Sequence, residues 1–180
     1  DTVLDYGWFL DQQDLSPAMD RWVDLRQQIV KRPFMATLER FVNPCSSRVM
    51  LASAFHPPYG DKMLTICERA GFPAGIIVRN GMEGTLAFPL MRQARILCTA
   101  RQADGTYRRR EIIFDAQRIL GKTYSVEERL EDPSLEENIR LIQRYTQDGQ
   151  TGYAHFDDRV KVTCAGLQEA LEWIKLYGAE

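Results

Sequence analysis

Two turns follow two short apolar runs of the sequence, and their side chains are the ones a ligand could use. The first, His56-Pro57-Pro58-Tyr59-Gly60-Asp61, comes after the run Arg48 to Phe55. Its histidine can act as acid, base or phosphate donor, or serve as a structural turn residue beside two prolines. The second, Asn80-Gly81-Met82-Glu83-Gly84-Thr85, comes after Gly75 to Arg79. Its two glycines permit a backbone to approach a ligand closely. Glu83 is a hard oxygen donor of the kind magnesium uses at a diphosphate. A plain turn uses the same residue types. Arg26 is a third candidate, close to the apolar stripe of a helix, where an arginine needs an anionic partner. Lys31 and Arg32 follow at the helix end, where cations stabilise the terminus by about 0.3–1 kcal/mol.

These residues need elements to hold them. Ser16-Pro17 is a helix start, and Met19, Trp22, Val23, Leu25, Ile29 and Val30 recur at mostly helical spacing. Arg32-Pro33 breaks that helix, and Phe34 to Phe41 reads as a second short one closed by Asn43-Pro44. Arg48 to Phe55 is of strand length, Asp61 to Ala70 fits a helix ended by Gly71, and Gly75 to Arg79 is a β-branched run. Strand, helix and strand over this length form one right-handed crossover unit of a parallel sheet. Open sheets of that kind bind ligands at the C-terminal ends of their strands, which is where both turns fall.

Further strands are expected at Arg95 to Thr99 and Tyr107 to Phe114, joined by a turn at Asp104-Gly105. Alternation puts Arg108 and Arg110 on one face and Tyr107 and Arg109 on the other. Ser134-Leu135-Glu136-Glu137 is a capping box that opens a helix. A final helix from Asp157 to Tyr177 has Val160, Cys164, Leu167, Leu171 and Ile174 as its expected inner stripe. The fold class is therefore α/β, a partly parallel sheet flanked by helices.

Composition agrees with a folded chain. Of 180 residues, 44% are hydrophobic and 27% charged, and no apolar run approaches the length of a membrane helix. A net charge of −2 is no footprint for nucleic acid, yet the charge is uneven. Residues 1–78 balance to −1, residues 79–122 to +5 and residues 123–180 to −6. The central excess is mostly arginine, so Arg108, Arg109 and Arg110 form a candidate anion or nucleic-acid patch. The alternatives are a hairpin with a charged solvent face, or arginines paired with the acidic C-terminal third in a homodimer or scaffold. Cys45, Cys67, Cys98 and Cys164 form no C-x-x-C pair, which suggests reduced, buried thiols in a cytoplasmic protein. His56 and His155 are too few for a multi-histidine metal site.

Taken in order, the segments resemble the α/β domain of the anthranilate phosphoribosyltransferase-like proteins, glycosyltransferase family 3. Ser16-Pro17-Ala18-Met19 through Leu25-Arg26, and Arg32 to Asn43-Pro44, are similar to the family's segment running from H-P-A-M to N-x-L-G-P-L-x-N-P. Arg48 to His56 resembles the strand that follows, Val78 to Leu86 the G-x-D-E loop region, and Ser134 to Asn138 the late helix containing E-x-N. The resemblance implies a catalytic domain of the nucleoside phosphorylase/phosphoribosyltransferase type. It implies a pentosyltransferase using phosphoribosyl diphosphate and a small aromatic or anionic acceptor. Arg26 then contacts the acceptor's carboxylate, and His56, Asn80 and Gly81 belong to the substrate site. Glu83 holds Mg2+, weakly, because Gly84 replaces the second carboxylate.

Other positions depart from the family: Ser16 replaces a histidine, Ala36 an asparagine, and Glu39 and Arg40 a glycine and a proline. The pattern is closer to divergent paralogues than to the tryptophan-pathway enzymes. Some of those paralogues are thought to have lost transfer activity, and at least one group is associated with nucleic acid. The family's N-terminal helical domain and glycine-rich phosphate loop are absent here, and the sequence opens on Asp1. The expectation is one α/β domain that is the C-terminal portion of a longer two-domain protein.

Overall fold

The computed structural model describes residues 10–29, 38–82, 85–128 and 134–178. The chain divides into two compact units, Asp1–Pro44 and Cys45–Glu180. In the first, α1 (Gln12–Leu15) is capped by Asp11, whose carboxylate accepts from the Gln13 amide at 2.8 Å. Helix α2 (Pro17–Gln28) starts where Ser16-Pro17 predicts it, with proline in its first turn. No residue of α1 or α2 is buried, and Val23 and Leu25 are exposed. Of the expected helix from Phe34 to Phe41, the described part is Leu38, which is helical, followed by a 3-10 turn at Glu39–Phe41. Lys31, Arg32 and Ala36 lie outside the described residues.

The second unit is built on a four-stranded sheet in the order β1-β2-β3-β4. Strands β1 (Val49–Ala54) and β2 (Ala74–Arg79) pair in parallel across α3 (Tyr59–Arg69). Strands β3 (Ala94–Arg101) and β4 (Tyr107–Phe114) join antiparallel to β2 and to each other. The fold is thus mixed α/β with a mostly antiparallel sheet, and the parallel part is the one pair that the crossover creates. The β3–β4 turn carries Gly105 at φ 83°, a left-handed conformation that glycine adopts without strain.

Strand β2 is buried at every position before Arg79, because helices cover both of its faces. Helix α3 turns Met63, Leu64 and Cys67 inward on one side. On the other side lies the main core, where Val78, Ile96, Cys98, Ile112 and Phe114 meet Phe88, Val162, Ala170 and Trp173. After β4 the chain forms α4 (Ala116–Leu120), α5 (Leu135–Asp148) and α6 (Ala154–Tyr177). Ser134 caps α5 by accepting from the Glu137 amide at 3.1 Å. The Glu137 carboxylate turns to Arg140 at 2.7 and 2.9 Å. No helix among the described residues is long and apolar enough to cross a membrane.

Helix α6 corrects one expectation. Its buried residues are Asp157, Asp158, Val162, Gly166, Ala170, Trp173 and Ile174, while Cys164 and Leu171 are exposed. Ile174 is buried and Leu167 packs against the core as expected, while Cys164 and Leu171 fall off the buried side. The side facing the sheet sets Gly166 and Ala170 among Val162, Trp173 and Ile174, and Phe88 and Phe114 fill the space at Gly166. A Cβ on Gly166 would sit 2.2 Å from Phe88 Cε2.

Candidate functional site

The two turns flank each other as the crossover predicts. In the β1–β2 ladder Ala54 pairs with Arg79, so Phe55-His56 and Asn80-Gly81 leave the sheet from the same end of adjacent strands. His56 is exposed, its ring edge-on to Phe55 at 5.2 Å and tilted toward Tyr59 at 6.4 Å. Its carbonyl accepts from the Tyr59 amide at 3.1 Å, so the turn runs directly into the first turn of α3. Asn80 has φ 59°, a conformation asparagine tolerates better than most residues. Gly81 is buried, and a Cβ there would lie 3.0 Å from the Ala87 carbonyl oxygen. It is needed for close approach of the chain to itself. Glu83 and Gly84, and with them the expected metal ligand, lie outside the described residues.

Between the two turns is a residue that sequence reasoning left among the general arginine excess. Arg79 ends β2 with its side chain 19% exposed, and it reaches Asp61 Oδ2 at 3.9 Å and Glu111 Oε1 at 3.4 Å. Its Nε is buried with no hydrogen-bond partner among the described residues. The arginine's stem lies under the first turn of α3, where a Cβ on Gly60 would be 3.1 Å from Arg79 Cδ. The available signal was position: a cation ending a β-branched run immediately before Asn-Gly. Arg95 shares Glu111 at 3.1 and 3.2 Å, and Arg92 donates to the Gly81 carbonyl at 3.2 Å. This end of the sheet is therefore cationic, with Asp61 and Glu111 already engaged by arginine. It can take an anion more readily than a metal.

Arg26 finds an anionic partner within its own unit, Glu39 at 3.8 Å. The demand for an external anion is thereby removed, and α2 supplies no buried surface around the guanidinium. The arginine run is divided by strand alternation as expected. Arg108 stacks on the Tyr177 ring at 4.1 Å. Arg109 grips both oxygens of Glu68, at 2.7 and 2.6 Å, and donates to Thr65 Oγ1 at 3.0 Å. Burial pushes the Glu68 carboxyl up, but hydrogen bonds from Arg109 and Thr99 outweigh that and leave it below the usual carboxylate range. Arg110 is exposed on the edge strand. Within the chain, Arg109 is held by Glu68 and Arg108 by the Tyr177 ring rather than by the carboxylates of the acidic C-terminal third. That acidic third instead pairs with Arg118, Lys122 and Arg159, through Glu169, Asp158 and Glu127.

Two cysteines meet the expectation of buried thiols and two do not. Cys67 and Cys98 are buried and each thiol is pushed up to about 12, by burial in both and by the neighbouring Glu68 in Cys67. Cys45 and Cys164 are exposed. Among the described residues no three His, Cys, Asp or Glu side chains are grouped to hold a metal ion. A groove of about 670 Å³ lies elsewhere. It is bordered by Arg48, Val49, Ala74, Leu171 and Ile174 at the N-terminal ends of β1 and β2. Its largely apolar wall suits packing, and we place the candidate site at the opposite, charged end of the strands.

No known family profile matches the chain. A stretch of 76 residues is 33% identical to an uncharacterized protein of Aquifex aeolicus (strain VF5). That stretch covers 42% of this chain and 24% of the Aquifex protein's length, so the likeness is to a fraction of a longer protein.

Proposed function

We propose that the chain is part of a phosphoribosyltransferase-like protein of glycosyltransferase family 3, a divergent anthranilate phosphoribosyltransferase-like paralogue. Its substrate in this reading is phosphoribosyl diphosphate, with a small anionic acceptor. One observation carries the proposal: the His56 turn and the Asn80-Gly81 loop emerge together from adjacent parallel strands, beside Arg79 and the N-terminus of α3. Helix N-termini and arginine both favour phosphate oxygens. The proposed reaction asks for positioning and for electrostatic stabilisation of an oxocarbenium-like ribosyl centre and its departing diphosphate. No protein nucleophile is required. Arg79 joins His56, Asn80 and Gly81 as the proposed anion contacts. Arg26, tied to Glu39, must exchange that partner before it can hold an acceptor carboxylate. Glu83 is the proposed magnesium ligand.

The experiment is calorimetric titration of the chain with phosphoribosyl diphosphate, with and without magnesium. Saturable heat that is lost in Arg79→Gln supports the proposal, and no heat at millimolar ligand rejects it.

The alternative is a non-catalytic paralogue that binds nucleic-acid phosphates through Arg108, Arg109 and Arg110. What favours it is their common exposure on one edge strand. It requires affinity that falls steeply with salt, and it puts most of the weight on Arg110, since Arg109 already has Glu68.

A further inference from the structure

We infer that Glu127, backed by Arg159, is the positioning residue for the Asn80–Gly81 loop. The functional meaning of this inference rests on the proposed reading of that loop; its structural content does not.

The connection between β2 and β3 is tied to itself near its start. The Met82 amide donates to the Ala87 carbonyl at 2.8 Å, Gly81 packs against that same carbonyl, and Arg92 donates to the Gly81 carbonyl at 3.2 Å. Whatever sets residues 87–92 therefore sets Gly81. Residues 88–91 are in turn held from outside. The Phe88 amide donates to Thr163 Oγ1 of α6 at 3.0 Å. The Leu90 amide donates to both oxygens of Glu127 at 3.1 and 3.0 Å, and the Met91 amide to one of them at 3.0 Å. These two amides precede β3, so no strand ladder is there to receive them. Glu127 belongs to the segment between α4 and α5, far away in sequence, and it is kept in place by Arg159 of α6 at 2.9 Å. Arg159 also donates to the Glu128 carbonyl at 2.6 Å, so one guanidinium fixes both the carboxylate and its backbone. A carboxylate that accepts two successive amides and a guanidinium has its acceptor sites used and its rotamer chosen.

Glu127 and Thr163 are thus two fingers of one clamp on the loop, and α6 carries or braces both. Among the described residues the Glu127 side chain touches the Leu90 and Met91 amides and Arg159 rather than a candidate ligand contact, so its effect on binding is expected to pass through the loop.

The test compares Glu127→Ala, Glu127→Gln and Thr163→Val in the full chain. Amide exchange and chemical shifts are followed at Leu90 and Met91 and, separately, at Asn80, Gly81 and Met82. Phosphoribosyl diphosphate affinity is measured in parallel. Glu127→Ala is expected to speed exchange at Leu90 and Met91 about tenfold or more, as loss of a charged acceptor does. It is also expected to shift the Gly81 and Met82 amides and weaken binding about tenfold. Glu127→Gln falls between, because its amide oxygen keeps one acceptor. Thr163→Val acts in the same direction through Phe88, and these two milder variants decide the matter if Glu127→Ala does not fold. The inference is overturned if Leu90 and Met91 respond while Asn80, Gly81 and Met82 keep their wild-type shifts. It is equally overturned if amides throughout the sheet loosen together. Should the wild-type chain bind no phosphoribosyl diphosphate, the proposed function fails and the amide data still decide the positioning role.

Discussion

Replacing Gly166 by alanine tests the packing that brings α6 against the loop. In a solvent-exposed helix the change would stabilise by about 1 kcal/mol, the propensity difference between the two residues. Here the added methyl would lie 2.2 Å from Cε2 and 2.9 Å from Cζ of Phe88, and 3.3 Å from Cγ of Phe114. Phe88 is fully buried, and its ring is edge-on to Phe114 with centroids 5.6 Å apart, so neither ring has a free direction to swing. Overpacking of this kind costs about 1–3 kcal/mol, and the need to shift two rings favours the upper part of that range. After subtracting the propensity gain, the net loss is about 1–2 kcal/mol. In a chain of this size each kcal/mol lowers Tm by about 2–4 °C, so Gly166→Ala should melt about 2–8 °C below wild type. Thermal denaturation followed by circular dichroism reads this directly. Adding Phe88→Leu to Gly166→Ala should recover part of the loss, giving a favourable coupling in a double-mutant cycle. A Gly166→Ala protein as stable as wild type, or more stable, would refute the close approach of helix and loop.

Three further outcomes are expected. In Glu127 burial pushes the carboxyl up, but the Met91 and Leu90 amides and Arg159 more than offset it, so both Glu127 and Glu68 sit below the usual carboxylate range. The unfolded chain therefore takes up these protons first as pH falls. The stability they contribute is whole above about pH 5 and drains away as pH drops through the folded values. Urea midpoints measured across that window should fall with acid, and fall less in Glu127→Gln; an equal acid response in the two proteins contradicts the clamp. Arg109→Ala should cost about 1 kcal/mol after allowance for its exposure, because it strands the Glu68 carboxylate, whereas Arg110→Ala should stay within about 0.5 kcal/mol of wild type. Matched denaturant curves compare them, and equal losses would mean that the Arg109–Glu68 pair holds nothing. In a thiol titration Cys45 and Cys164 should react promptly while Cys67 and Cys98 wait for unfolding; four fast thiols would contradict the buried pair.

Local chemistry wrote much of this protein into its sequence. Ser16-Pro17 and Ser134 to Glu137 mark helix starts because proline in the first turn and a capping Ser134 act only on neighbouring residues; Ser16 itself makes no side-chain cap. Gly71, Gly105 and Gly149 stand where the chain takes positive φ. The β-branched run before Asn80 and the apolar run before His56 bracket a helix, and that pattern was enough to put both turns at one end of parallel strands. The phase of α6 was not readable in the same way. Its large apolar residues placed Leu167 and Ile174 correctly, but the buried side also takes Gly166 and Ala170 in preference to Cys164 and Leu171, because the depth of contact is set by Phe88 and Phe114 from distant segments.

The same limit applies to the charges. Sequence determined that an arginine-rich centre lies between a near-neutral start and an acidic end, and alternation correctly split Arg109 from its neighbours. It could not choose partners, since an ion pair depends on a few ångströms of separation between residues as distant in sequence as Glu68 and Arg109. Only the tertiary structure gave Glu68 to Arg109, Glu39 to Arg26 and the Leu90 and Met91 amides to Glu127. Composition and spacing decided which elements form and which turns share one end of the sheet. Packing decided which of those charged groups remain open to a ligand and which already have a partner.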